Sequence, residues 1–280
     1  MSLLVETLNR IVAFLESSHP IMIGIARSLQ PGLSHEEITS KLEDFPYLLP
    51  TELIELYQWR NGQSGAYPDG FAPYHRLLSL EDALKEYKCQ IELAMEFSED
   101  DLPWQKLYDP CWFPIFKEDS NFHVTPTSLK PQKHSPILHK SEYFCSDDVW
   151  KSEVFPNLTN MMLAVAECWE SGAYHTAKNI YGEDYLSFVS TNKSMINLKY
   201  QPGRKKSVEL LLNAQESKLS EEEIIGAYYD LVAVNHPRAE EILKRGSQRY
   251  ARRNSNLSKR LEYLLSDLKR QQESGRNEEI

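Results

Sequence analysis

The sequence lacks the close cysteine pairs that build zinc sites and disulfide frameworks. Its four cysteines lie at positions 89, 111, 145 and 168, far apart along the chain. Structural zinc ligands usually come as closely spaced pairs, so we expect no metal site. Residues 1–20 carry Glu6 and Glu16 on an amphipathic pattern and show no signal-peptide architecture. We therefore predict reduced thiols in a cytoplasmic protein.

Long apolar segments and an excess of positive charge are also absent. No apolar run approaches the ~20 residues that span a bilayer. The formal net charge is −10 and unevenly spread, since residues 1–200 carry 16 Lys and Arg against 28 Asp and Glu, whereas residues 201–280 carry 15 against 13. Nucleic acids and anionic membranes both require a cationic surface, so we expect neither as a partner.

The common catalytic motifs are missing as well. The sequence contains no GxGxxG, GxxxxGK[ST], GxSxG or HExxH pattern. His123, His134, His139 and His175 cluster loosely, without a carboxylate or cysteine at ligand spacing. A tight turn would be needed to bring Asp119 and His123 together as an acid–base pair, and no nucleophile accompanies them. These absences predict a protein without catalytic residues, cofactor or metal.

The apolar periodicity that is present predicts an α+β fold. Apolar residues at three- and four-residue steps predict helices in the segment before Pro20 and at 35–44, 48–62, 77–88 and 158–172. Short aromatic or β-branched runs predict strands at 111–119, 121–125 and 135–140, with a tight turn near Asp119. Residues 185–190 and 194–200 form either another strand pair or the connection into the following region.

The C-terminal part of the sequence is helical throughout. QPGRKK at 201–206 marks a boundary, so we predict an α+β domain at 1–200, a helical region at 201–272 and a disordered tail at 273–280. The basic stretch 245–260 has acidic neighbours, which favours a solvated helix face over contact with a partner protein or RNA.

The stretch LLPTELIELYQWRNG at 48–62 gives the clearest local signal. Pro50 sets the start of a helix that Thr51 is placed to cap, and Asn61–Gly62 provides a left-handed exit. This stretch resembles the LP…LY…NG signature of the SUKH superfamily, the Smi/Knr type of domain.

Later segments resemble the same family in order, over about residues 34–172. The helix at 77–88, the strand that begins at Trp112 and the helix at 158–171 each have a counterpart there. Members commonly carry glycine after the tryptophan strand, whereas this chain has Asn121, which can adopt left-handed geometry. The positions that match the family motifs are Leu49, Pro50, Tyr57, Asn61, Gly62, Trp112 and Pro114.

The resemblance implies a central, mostly antiparallel sheet flanked by helices, and a protein that binds other proteins. Bacterial members of the family resemble immunity proteins that neutralise toxins, and fungal relatives resemble regulators of cell-wall assembly. We therefore expect an immunity protein that holds a basic toxin domain. The alternatives are a regulatory scaffold that recruits partners through its helical tail, and a hydrolase with an unrecognised site.

Three acidic runs lie beside tryptophans, at 99–101, 118–119 and 147–148. Such runs are either solvated loop charges or an acidic face for a cationic partner. Aromatic and arginine side chains next to charges are typical of interfaces. On the second interpretation, the candidate contact residues are Trp59, Arg60, Glu118, Asp119, Asp147 and Asp148.

Overall fold

The computed structural model describes residues 1–64, 70–72, 75–99, 103–119, 121–141, 153–179, 181–251 and 255–277. The chain forms two compact units, Met1–Phe188 and Val189–Ile280. The predicted domain boundary lay at residue 200. The difference arises because residues 194–199, most of one candidate strand, belong to a helix that begins at Ser190 in the second unit. In the described part of the chain, no helix has the length and apolarity that a membrane span requires.

The first unit combines seven helices and nine strands in the part of it that the structure describes. The helices are α1 (Leu3–Glu16), α2 (Pro20–Ser28), α3 (His35–Lys41), α4 (Thr51–Trp59), α5 (Leu80–Glu96), α6 (Trp104–Leu107) and α7 (Leu158–Glu170). The strands are β1 (Leu29–Pro31), β2 (Arg60–Gln63), β3 (Arg76–Leu77), β4 (Trp112–Glu118), β5 (Asn121–Pro126), β6 (Ile137–Ser141), β7 (Glu153–Phe155), β8 (Tyr174–Lys178) and β9 (Asp184–Phe188). The predicted α+β class is confirmed.

The central sheet has the order β3-β4-β5-β6-β7, and all its neighbouring strands are antiparallel. Side chains alternate between its two faces. On one face, Lys117 Nζ lies 2.7 Å from Glu86 Oε2, and Lys140 Nζ donates to Gln90 Oε1 at 3.0 Å. Both partners belong to α5, so this helix covers that face. β1 pairs with β2, and β8 pairs with β9, in two small separate sheets.

Several local signals act as the sequence predicts. Ser34 and Glu37 form a capping box at the start of α3, and Ser79 caps α5 by accepting a hydrogen bond from the Asp82 amide. The predicted apolar stripes of α1 and α7 are buried, and the two helices pack together. These side chains therefore form part of the core of the first unit.

Two local expectations are wrong. The N-cap of α4 is Pro50, and Thr51 is the first helical residue, with its hydroxyl 3.4 Å from the carbonyl oxygen of Gln132. After β4, Asp119 adopts the left-handed conformation with φ 44°, whereas Asn121 starts β5 as an extended residue. An aspartate takes this geometry more readily than most residues, because its short side chain bonds locally.

The second unit is helical. Its elements are α8 (Ser190–Lys199), α9 (Pro202–Leu212), a 3₁₀ turn (Glu216–Lys218), α10 (Glu221–Ala233), α11 (Ala239–Tyr250) and α12 (Ser255–Asn277). Leucine and isoleucine side chains from four of the helices share one buried core, with Tyr228 fully enclosed. The predicted tail 273–280 overlaps α12, which continues to Asn277, and residues 278–280 lie outside the described residues.

Two arginines of the basic stretch 245–260 have a structural role. Arg245 and Arg249 both form ion pairs with Glu216, whose side chain is completely buried. Arg204 forms a similar pair with Asp230, where burial raises the carboxyl pKa despite the nearby guanidinium. The cationic side chains of Arg245 and Arg249 are thus engaged within the unit, which weakens the case for RNA contact there.

Gly62 offers a direct test of how closely β2 approaches the start of α5. Its φ is 77°, and an added Cβ would lie 2.3 Å from the Ser79 amide nitrogen. We expect Gly62→Ala to lower the free energy of unfolding by about 2–5 kcal/mol, from left-handed strain plus the clash. Denaturant unfolding of the purified variant measures this change.

Gly172 provides the matched control. It has a similar φ of 75°, but an added Cβ would meet no atom within 4 Å. Gly172→Ala should therefore cost only the conformational strain, about 1–2 kcal/mol. Equal losses in the two variants would show that the approach of Gly62 to Ser79 is not tightly packed.

Candidate partner-binding surface

The buried side-chain amide of Gln63 fixes the loop that follows β2. Its Oε1 accepts hydrogen bonds from the backbone amides of Phe71 at 2.8 Å and Leu77 at 3.0 Å. Its Nε2 donates to Ser28 Oγ at 2.9 Å. One side chain therefore forms hydrogen bonds with three separate segments. Its bond to the Leu77 amide fixes the position of β3.

Asn61 plays the corresponding role for α5. Its Oδ1 accepts a hydrogen bond from the Leu80 amide at 2.8 Å, and its Nδ2 donates to Glu81 Oε2 at 3.0 Å. The first amides of a helix have no partner within the helix, so Asn61 satisfies one of them from outside. The Asn–Gly pair thus docks the start of α5 onto β2.

The remaining motif positions also lie in the interior. Leu49, Tyr57, Trp112 and Pro114 are buried, and Pro50 is the N-cap of α4. Trp112 accepts a hydrogen bond on its carbonyl oxygen from the Tyr108 hydroxyl at 2.8 Å. These residues build the scaffold, and the exposed side chains beside them are the ones available to a partner.

Trp59 and Arg60 form one candidate contact pair, at the junction of α4 and β2. Trp59 is half-buried, its indole Nε1 donates to Asn9 Oδ1 at 2.8 Å, and its ring centroid lies 5.7 Å from that of Phe71. The Arg60 guanidinium lies 5.4 Å from the Trp59 ring centroid. A held aromatic ring with a cation stacked on it suits an interface position.

Glu118 and Asp119 form the second pair, where β4 ends. Glu118 Oε2 lies 3.8 Å from His75 Nε2, and Asp119 is exposed in the following turn. Phe71 and His75 precede β3, and they lie beside Trp59 and Glu118 respectively. Asp147 and Asp148 lie outside the described residues.

The end of α5 contributes a further acidic surface. Glu92, Glu96 and Glu99 are exposed there, and none of them forms an ion pair within the described part of the chain. Met95 is 49% exposed and Phe97 57%. We call these five residues the acidic end of α5. The helix dipole adds negative potential at this terminus.

This surface was only partly predicted. The sequence pointed to the run 99–101, but Asp100 and Asp101 lie outside the described residues, and α5 was expected to end at residue 88. The helix continues to Glu96, which places Glu92 and Glu96 one turn apart. The i, i+4 spacing of these glutamates was the available signal.

Three histidines meet on the sheet face opposite α5. His123 and His139 are paired across β5 and β6 with ring centroids 5.8 Å apart, and the His75 ring lies 4.3 Å from His123. Of the four histidines that lie loosely together in sequence, only His123 and His139 thus meet in this group. His134 instead lies beside Glu52, and His175 is in β8. His75 was missed, because cross-strand register is not visible in sequence spacing.

Glu52 is the other polar side chain whose surroundings suggest chemistry. This buried carboxylate accepts hydrogen bonds from the amide and hydroxyl of Thr159, and lies 3.0 Å from His134 Nδ1. In a nucleophilic triad the imidazole contacts the hydroxyl, whereas here the carboxylate lies between the Thr159 hydroxyl and the His134 imidazole. The carboxylate stabilises the positive N-terminal end of α7 instead.

The described residues also contain no group of three histidine, cysteine or acidic side chains arranged to hold a metal ion. The arrangement that remains is an acidic unit with exposed carboxylates, exposed apolar side chains and one held aromatic–arginine pair. Such a surface is suited to binding, and its chemistry favours a cationic partner.

Comparison with known families gives a match within the first unit. Residues 32–164 match the family described as SMI1 / KNR4 family (SUKH-1). This stretch carries all seven motif positions, and the match supports the SUKH resemblance that its ordered motifs predicted. The helical second unit lies outside the match. No curated protein gives a significant match to the sequence.

The partly buried histidine His139 predicts a pH dependence of stability. Burial lowers the pKa of its imidazole, so the folded state disfavours the protonated form. Its stabilising contribution is therefore complete above the unfolded pKa of about 6.5 and is lost as pH falls through the lower folded pKa. We expect the melting temperature to fall between pH 7 and pH 5, and to fall less in His139→Gln.

His35, an exposed residue of α3, supplies the control. His35→Gln should leave the pH dependence of the melting temperature unchanged. Identical pH profiles for the wild type and His139→Gln would contradict the assignment to His139.

Proposed function

We propose that this chain is a non-enzymatic protein-binding protein whose first unit holds a basic partner. The observation that carries the proposal is charge: residues 1–188 contain 14 Lys and Arg against 28 Asp and Glu, a net charge of −14. Residues 189–280 contain 17 against 13, a net charge of +4. A field of one sign attracts an oppositely charged partner and speeds its association.

The acidic end of α5 is the strongest part of the proposed contact surface. It combines three exposed carboxylates with two exposed apolar side chains, so a partner could gain both ion pairs and buried apolar area there. The proposed contacts also include Trp59, Arg60, Glu118 and Asp119. The sequence alone supports two further proposed contacts, Asp147 and Asp148.

Immunity against a toxin is the role that this surface fits best. A toxin that acts on nucleic acid needs a cationic surface to bind its substrate. An acidic protein can cover that surface and block the substrate without any reaction of its own. The SUKH resemblance supports this proposal, because the bacterial part of the superfamily resembles immunity proteins.

Charge reversal at the acidic end of α5 tests the partner-binding proposal. We expect Glu92→Lys combined with Glu96→Lys to weaken binding of a basic partner at least about tenfold, since both changes replace attraction by repulsion. Affinity capture with the tagged full chain, followed by titration of the captured protein, measures the change.

The matched control reverses Glu36 and Glu43, which lie elsewhere on the first unit. Glu36→Lys with Glu43→Lys changes the net charge equally, and binding should then weaken much less. Equal loss in both double variants would indicate a diffuse charge effect, and capture of only acidic partners would contradict the proposal.

A regulatory scaffold is the second candidate, because the second unit has a core of its own. If that unit recruits partners, a chain ending at Phe188 should lose function while its first unit stays folded. If the protein is an immunity protein, the shortened chain should still protect cells that express the toxin. Circular dichroism of the shortened chain establishes that it is folded.

A further inference from the structure

A cavity of about 210 Å³ lies between α5 and the edge of the central sheet. Four side chains of α5, at helical spacing, line the cavity. The other lining side chains come from β3, from β4 and from the residue after β3. The lining residues are Arg76, Leu78, Asp82, Lys85, Glu86, Cys89 and Lys117. Arg76 and Lys117 are a cross-strand pair, so the sheet holds their side chains side by side.

The charge of this cavity is opposite to that of its unit. Three cationic side chains line it against two carboxylates, whereas the unit as a whole has a net charge of −14. Lys117 is compensated by Glu86 at 2.7 Å. Arg76 and Lys85 form no ion pair within the described residues. Two positive charges are therefore available to a ligand in this cavity.

We propose that this cavity binds a small oxyanion, with inorganic phosphate as its simplest form. Phosphate carries between one and two negative charges near neutral pH, which matches the two available cations. The planar guanidinium of Arg76 can donate two parallel hydrogen bonds to phosphate oxygens, and Lys85 adds a charge from the helix side. The cavity is large enough for such a group.

The negative charge of Asp82 offers a test that distinguishes an anion site from a cation site. Its carboxylate lines the cavity and repels an anion, so removing its charge should strengthen oxyanion binding. A site for a cation would respond in the opposite way. This proposal is independent of protein binding by the acidic end of α5, and either can fail without the other.

Cys89 provides a built-in reporter, because its thiol is exposed and lines the cavity. Cys168 is buried, and burial together with the neighbouring Asp109 raises the pKa of Cys111 to about 12, so both should react slowly. In a Cys145→Ser background, iodoacetamide at pH 8 should modify Cys89 first. Mass spectrometry of the peptides measures the rate at each thiol.

The test titrates the full chain with inorganic phosphate and follows both the Cys89 alkylation rate and the Arg76 guanidinium NMR signal. We expect saturable slowing of alkylation and a matching shift of the Arg76 signal. Arg76→Gln and Lys85→Gln should each weaken binding about tenfold, and Asp82→Asn should strengthen it. Malonate, titrated in parallel, distinguishes a carboxylate ligand from a tetrahedral one.

Lys88→Gln is the matched control, because Lys88 is exposed on α5 but does not line the cavity. It should leave phosphate binding unchanged. Three results would overturn the proposal: no response to phosphate, an equal response to chloride at the same ionic strength, or an equal loss in Lys88→Gln and Lys85→Gln. Lys85 is exposed, so its variant is expected to fold normally.

Discussion

The structure of the first unit depends on two buried side-chain amides that must find partners for all their polar atoms. Leaving a buried amide unpaired costs about 1–3 kcal/mol, so Asn61 and Gln63 force several backbone segments into one arrangement. Gln63 positions the start of β3, and Asn61 positions the start of α5. The exposed surfaces carried by these elements, including the acidic end of α5 and the cationic cavity, follow from that arrangement.

Buried and exposed charges have different roles in this protein. Buried carboxylates such as Glu52 and Glu216 are each surrounded by donors that belong to the same unit. The exposed carboxylates at the end of α5 have no such partners within the described residues. Exposed ion pairs contribute little to folding stability, so leaving these carboxylates unpaired costs little free energy. They remain available for association with a partner. This separation supports a binding role more than a catalytic one.

Local patterns predicted the elements better than they predicted the surface. Capping boxes, apolar stripes and the order of SUKH motifs depend on residues close in sequence, and the scaffold agreed with them. The histidine group and the cavity depend on strand register, which pairs His123 with His139 and Arg76 with Lys117. Spacing along the chain does not encode such pairs, so His75 and the cavity were missed. In the turn after β4, Asp119 rather than Asn121 adopts the left-handed conformation. Both residue types tolerate that geometry, so the sequence alone did not distinguish them.

Hydrogen exchange of individual backbone amides tests the central claim most directly. The account predicts that the amides of Phe71, Leu77 and Leu80 exchange slowly in the native protein, because side-chain oxygens bind them in the interior. In Gln63→Ala, Phe71 and Leu77 should lose protection while Leu80 keeps it. Exchange of all three amides at the rate of an unstructured peptide in the native protein would contradict the account.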